Sequence, residues 1–374
     1  MARKTIRKSK AATSARTART TAAKTVRTRA SAPARARTSP GKLRLTMLTG
    51  DYEIVRALKD GTVRPEGIDL VIADYRGASE IHKRVAAGKG ADINEFNGGH
   101  FVVQRAHGRE DFTAIPVFLH RRFRHGFIYI NRSMGRIREP SDLIGKRIGS
   151  TSIGAAANYW MRGYLEQAGV PHRSVTWVVD HFDDTAEQAP RELKIERAPA
   201  GGSVAQMLLD GEIDGVISPS IDRMIDERDP RVGRLWPNYK QIEVDYFRRT
   251  GLFPIMHVTT VPSRIVLRHP WVVRSLTLAF EEAKQLCYQR VINPRVVPLA
   301  WFRAQWEEER QLLGPDPWEY GMSDANRRNY GQLVRYVQEQ VLTGPAPTLE
   351  DLFAKESFEI ELPLPKFHAT KYGF

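Results

Sequence analysis

From residue 43 onward, short apolar runs alternate with amphipathic stretches. LRLTML (43–48), IDLVIA (68–73), FTAIPVF (112–118) and FIYIN (127–131) have the length and the β-branched or aromatic content of strands, and Gly, Asp or Pro bounds them. DYEIVRALKDG (51–61) and ASEIHKRVAAGKG (78–90) carry apolar residues at helical spacing and end in glycine, a helix stop. A second set repeats the order: KRIGS (146–150) as strand, 154–169 as helix, VTWVV (175–179) as strand, SVAQMLLDGE (203–212) as helix and DGVIS (214–218) as strand. Beyond residue 262 the pattern turns helical, with candidates near 270–290, 299–313 and 323–341. Strands alternating with helices predict an α/β fold.

Two such sets predict two lobes. The chain is expected to leave the first at HGFIYIN (125–131) and to return at FPIMHVTT (253–260), and two crossings of this kind make a hinge with a cleft between the lobes. Ligand sites favour such clefts, where strand ends and helix N-termini converge. The expected organisation is a basic, disordered tail over 1–42, a first part of lobe 1 over 43–128, lobe 2 over 129–254, a return strand with C-terminal helices over 255–360, and a tail over 361–374.

Charge changes this picture less than its total suggests. The 374 residues carry a formal charge of +14, but residues 1–42 hold 13 of the 57 Lys and Arg and none of the 43 acids. The remainder is close to neutral. The tail has too few apolar residues to offset its chain entropy, and its spaced arginines suit weak contact with nucleic-acid phosphates. No apolar segment follows its basic residues as in a secretory signal, no window approaches a membrane span, and the expected location is the cytoplasm. The single cysteine, Cys287, excludes an internal disulfide and a cysteine-based zinc site, and its spacing from Leu276, Phe280 and Ala283 places it on a buried helical face.

Eight stretches carry a further signal: GDYEIVRAL (50–58), GTVRPEGIDL (61–70), IPVFLHRRFRHGFIYIN (115–131), DLIGKRIG (142–149), GEIDGVISP (211–219), DPRVGRLWPNY (229–239), YFRRTGLFPIMH (246–257) and HPWVVRSLTLAFEEAK (269–284). Through them the chain resembles the 4,5-dihydroxyphthalate decarboxylases. The stretches stand in family order over about residues 43–354. The resemblance implies a two-lobed type 2 periplasmic-binding-protein-like fold with hinge crossings and a helical C-terminal section. It also implies substrate contacts from Asp51, Tyr52, the run 122–125 and His257. The chain departs from the family pattern at EFNGGH (95–100), STSIGAA (150–156) and SPSID (218–222), all expected to line the cleft.

Decarboxylating a hydroxylated benzoate requires a proton at the ipso carbon, a group that draws the hydroxyl towards phenolate, and cations that orient the carboxylate. Histidine suits the proton transfers and arginine, with its two-pronged guanidinium, the carboxylate. His125 and His257 are the candidate acid and base, with Asp51 orienting a histidine or accepting the hydroxyl proton. Arg122 and Arg124, two apart on an expected strand, are candidates for the carboxylate, while Arg121 is expected to be solvated. Tyr52, Asn97 and Ser152 are further substrate-binding candidates, Ser152 as the cap of a helix whose N-terminus would hold an anion. The loop with His181, Asp183 and Asp184 lacks a full ligand set, so no metal site and no cofactor are expected; a divalent ion would require Glu95, His100 and His257 to converge. The expected partner is a small anionic aromatic substrate. The competing reading is a solute-binding protein of an ABC-type importer for an organic anion, which the same fold would serve.

Overall fold

The computed structural model describes residues 41–74, 78–217, 229–293 and 295–363. Residues 1–40 of the expected tail over 1–42, the segment SPSID (218–222) and most of 361–374 lie outside these residues. The strands are β1 Leu43–Thr49, β2 Ile68–Asp74, β3 Ile93–Asn97, β4 Phe112–Arg121, β5 Ile128–Asn131, β6 Arg147–Ser150, β7 Thr176–Val179, β8 Ile195–Arg197, β9 Gly215–Ile217, β10 Val232–Arg234 and β11 Ile255–Pro262. They form two sheets, one ordered β2-β1-β3-β11-β4 and the other β10-β5-β9-β6-β7-β8. The two-lobed α/β expectation is met, and β11 is the segment that comes back to complete the first sheet.

Several elements were illegible in the pattern, β3 and the helix Tyr239–Thr250 among them. β3 reads INEFN, too polar for an inner strand by composition, yet all five residues are buried because β1 flanks it on one side and β11 on the other. The helix Tyr239–Thr250 presents only Tyr246 as a fully buried residue, which leaves little apolar periodicity to read; it ends at Gly251, whose φ of 67° suits the left-handed cap.

The crossings differ from the expected continuous strands. β4 ends at Arg121, a 3-10 turn occupies His125–Phe127, and β5 begins at Ile128. The return runs through residues 251–254 into β11, and the Arg122 N–H donates to the Pro254 carbonyl at 3.0 Å, tying the two crossings together. Arg121 is not solvated. It is 4% exposed, and its guanidinium donates to the Glu319 carbonyl and to Asn326, anchoring the helix Asp324–Gln340.

One apolar core runs through both lobes, with a smaller cluster around Tyr129, Val178 and Val216 beneath the second sheet. The helix Ala156–Gln167 joins them: ten consecutive residues from Ala156 to Leu165 are buried, and the Trp160 indole N–H donates to the Ile255 carbonyl of β11 at 3.1 Å. Gly163 lets this helix approach the Tyr336 ring so closely that any Cβ would overlap it. Gly163→Ala is therefore expected to cost about 1–3 kcal/mol through overpacking, read as a lower urea midpoint with unchanged slope. Cys287 is buried on the helix Trp271–Val291, as its spacing predicts.

Candidate active site

Glu95, in the middle of β3, is fully buried and acts as a hub. Its Oε2 accepts from the Gly50 N–H at 2.8 Å and the Thr49 hydroxyl at 3.4 Å. Its Oε1 accepts from the Tyr52 hydroxyl at 2.7 Å and lies 2.5 Å from His257 Nδ1. Gly50 makes this possible, because the Tyr52 ring folds back over the space that a Cβ would fill. The loop after β1 thus delivers a phenol and a backbone N–H to a carboxylate on the neighbouring strand.

His257 is aimed by an irregular ladder. β11 pairs with β4 at Ile255–Arg121, then at His257–His120, and resumes at Thr259–Ile115. The register shifts between these last two pairs, so that residues 116–119 of the continuous strand β4 face a single residue of β11, and Pro116, which has no N–H to give, stands at the start of the shift. The bulge brings the His120 and His257 rings to 4.9 Å, and the ring of His82, on the helix Ala78–Ala86, meets His257 edge-on at 4.5 Å. Tyr52 stacks on His120 at 6.4 Å. Arg124 Nη2 donates to His120 Nε2 at 3.1 Å, which places the His120 proton on Nδ1.

The electrostatics keep the imidazoles neutral. Burial pushes His257 down to about 3, with the positive charge of Arg124 adding to the effect. Burial also lowers His120 to about 2, assisted by His257, Arg124 and Arg122, and holds His82 well below the ordinary histidine range. Tyr52 is pushed the other way by burial and by the Glu95 carboxylate. A carboxylate, a phenol, three neutral imidazoles and an arginine therefore share one end of the first sheet.

The structure separates the expected site residues. Tyr52, Arg124 and His257 join the cluster. Arg122 is exposed, but its charge is felt at Tyr52 and His120, and its guanidinium lies 5.5 Å from the Phe127 ring that Arg124 also covers at 4.9 Å. The two arginines do not share a strand face, since β4 ends before them.

His125 is not at this cluster. The chain has already turned into lobe 2, where His125 is 4% exposed, stacks on Tyr164 at 3.7 Å and packs against Trp236 and Tyr246. With its Nδ1 3.8 Å from Glu243 Oε1, it packs among these rings and does not join His257 as the expected acid–base pair. Asp51 is also displaced: its side chain is 88% exposed and pairs with Lys59 at 3.0 Å, so Glu95 does the orienting instead.

Asn97 and Ser152 belong to the seam between the lobes. Asn97 Oδ1 caps the helix Gly98–Ala106 by accepting from Gly99 and His100 and also accepts from the Ala156 N–H of lobe 2 at 3.0 Å. Ser152 is not the helix cap; Ala155 occupies that position without a side-chain bond, and the Ser152 carbonyl receives Ser150 and Asn158. The N-terminus expected to hold an anion is thus partly satisfied across the seam. His100 does not meet Glu95 and His257 either. It bonds Asp183 at 3.2 Å, and Asp183 also receives the Gly154 N–H at 2.9 Å and caps the helix Asp184–Gln188. Burial raises the Asp183 pKa, but these bonds outweigh it and hold it below the usual carboxylate value.

His82 and His120 are the residues that sequence reasoning left without a role in the chemistry, and it named Glu95 only as a conditional ligand of a divalent ion. His120 stood in the basic run four positions before Arg124, a spacing that carries no meaning until the bulge is seen. His82 lies on a helix with no motif around it.

A family model described as NMT1/THI5 like matches residues 53–192. A 4,5-dihydroxyphthalate decarboxylase from Comamonas testosteroni is 33% identical over 292 residues, covering 76% of this chain and 88% of that protein. One from Pseudomonas putida is 33% identical over 214 residues, covering 55% and 82%. Among solved structures, a periplasmic sulfonate-binding protein from Methylobacillus flagellatus aligns with a TM-score of 0.53 at 15% identity, over 85% of this chain and 93% of that one. The ligand-binding component of an ABC-type import system from Staphylococcus aureus aligns at 0.50 and 9% identity, over 85% and 98%. These likenesses show the periplasmic-binding-protein fold, and the identity to the two decarboxylases, along most of their length, shows more: this chain belongs to the 4,5-dihydroxyphthalate decarboxylase family.

Proposed function

We propose that this protein is a carboxy-lyase that removes carbon dioxide from a hydroxylated aromatic carboxylic acid of the 4,5-dihydroxyphthalate type. The observation that carries this reading is the 33% identity to a decarboxylase over 88% of its length. The fold is shared with importer binding proteins, but the two relatives at 33% identity are decarboxylases, and the enzyme is proposed to act in the cytoplasm.

The chemistry needs an anionic and a hydroxylic end of the substrate to be held apart. Arg124, with Arg122 beside it, is suited to the carboxylate. The Glu95–His257 pair and Tyr52 are suited to the hydroxyl. A neutral His257 with its Nδ1 on Glu95 accepts the hydroxyl proton, and Glu95 stabilises the charge that results. Electron density from the phenolate then allows the ipso carbon to take a proton from solvent, the C–C bond electrons return to the ring as carbon dioxide leaves, and the phenolate recovers its proton from His257.

The test is a panel of hydroxylated benzoates and phthalates, scored for carbon dioxide release and for thermal stabilisation. Turnover of at least one member is expected. Stabilisation without release across the panel would instead identify a binding protein. Arg124→Ala is expected to lower kcat/KM by tens-fold; an unchanged value would remove Arg124 from the site.

A further inference from the structure

We infer that His82, Glu95 and His257 form a binding site for one divalent transition-metal ion of the class that accepts imidazole and carboxylate together. Each residue offers one ligating atom, and the three atoms lie within 4.8 Å of one another. Two imidazoles and a carboxylate are a recurrent donor set for zinc and for non-haem ferrous ions. The donors come from the helix Ala78–Ala86, from β3 and from β11, all of one lobe, with β3 and β11 hydrogen-bonded to each other. The set is therefore assembled by the first lobe alone.

A second observation points to a ligand. His82 Nε2 is buried and has no hydrogen-bond partner among the described residues. A buried polar atom of this kind is unfavourable unless something pairs with it, and an ion does so when Nε2 is the unprotonated nitrogen. The surroundings also resemble an outer shell: the Gly50 N–H and the Tyr52 hydroxyl hold Glu95 in place, and bonds of this kind orient metal ligands. His120 is not counted among the ligands, because its Nε2 already receives Arg124. Ion binding exchanges the Glu95–His257 hydrogen bond for bonds to the ion and leaves coordination positions open, the mark of a catalytic rather than a structural site.

What the ion does rests on the decarboxylase reading; its binding does not. With the ion bound, Glu95 and His257 serve as ligands in place of the base and its partner: a substrate hydroxyl oxygen takes an open position, the ion lowers its pKa, and its proton passes to water.

The untagged full chain is stripped with a chelator, dialysed against micromolar ZnCl2 or CoCl2 and analysed for metal by mass spectrometry. One ion per chain, a higher melting temperature with metal and a visible Co2+ absorption band are expected. His82→Gln is expected to weaken binding by more than the ~100-fold that loss of an outer partner costs. Its melting temperature in chelator should match the native chain's, which separates lost ligation from misfolding, and His100→Ala should bind normally. No retained ion in the native chain, or undiminished retention in both His82→Gln and Glu95→Gln, overturns the site. Carbon dioxide release is followed in parallel. Turnover by a chain that binds no ion overturns the site and leaves the decarboxylase reading standing; ion binding without turnover of any acid supports the site and overturns that reading.

Discussion

Glu95→Ala is expected to reduce turnover by about 1,000-fold, within the range for losing a positioned acid–base group. The carboxylate holds the Gly50 N–H, the Tyr52 hydroxyl and His257 Nδ1 at once, so its removal strips the orientation from every polar group around it. The same change leaves buried donors unpaired at about 1–3 kcal/mol each, and a lower melting temperature is expected with it. Glu95→Gln separates the two effects. It keeps the size of the side chain and an acceptor oxygen, so most of the stability should return while kcat stays low. Asp51→Asn is the comparison, because an 88% exposed carboxylate paired with Lys59 should leave kcat within about twofold of native. Native kcat in Glu95→Gln, measured as carbon dioxide release, would place the chemistry elsewhere in the chain.

Lowering the pH from 7 to 5 is expected to destabilise the protein strongly. Folded pKa values of about 3 for His257 and His125 and about 2 for His120 lie below the unfolded histidine value of about 6.5. Each group is neutral in the fold and becomes charged in the unfolded chain, which binds more protons in this window. Their contribution is therefore complete above about pH 6.5 and is lost as the pH falls towards the folded values. At about 1.4 kcal/mol per pH unit, each imidazole withdraws about 2 kcal/mol by pH 5, against a total domain stability of about 5–15 kcal/mol. Glu243 opposes this trend. Burial raises it to about 7, so its neutral form is favoured in the fold and its contribution grows as the pH falls from 7 towards 4.5. Asp183, held below the ordinary carboxylate value, loses its contribution only at lower pH. His82 and His172 are lowered by burial as well, and Glu281 and Glu309 are raised by it like Glu243; five imidazoles against three carboxyls give a net loss, and urea midpoints at pH 7, 6 and 5 should fall steadily. A flat profile would mean that these histidines are not buried in their neutral form.

Much of the architecture was legible before the structure. Strand length, β-branched content and glycine stops located β1, β2, β4, β6, β7 and β9, since each of these signals is local. β3 was not legible, because INEFN is buried by its neighbours on both sides rather than by its own hydrophobicity. The same distinction divides the candidate site. Arg124 and His257 stood in runs whose chemistry could be read directly. His125 stood in the same run, and only the 3-10 turn after β4 showed that it enters the aromatic packing of lobe 2.

The sequence by itself determined the alternation of strands and helices, the separation of a basic tail from a nearly neutral body, the burial of Cys287 and the family stretches that imply two lobes. These depend on periodicity, composition and residue order, which act over a few positions at a time. The tertiary structure alone decided which carboxylate serves the histidines, and that Asn97 and Asp183 bond across the lobe seam. Glu95 and His257 are 162 positions apart and meet only because β11 returns from the second lobe to lie antiparallel between β3 and β4. A contact of that separation depends on strand order and on a bulge in the ladder, and neither leaves a local mark in the chain.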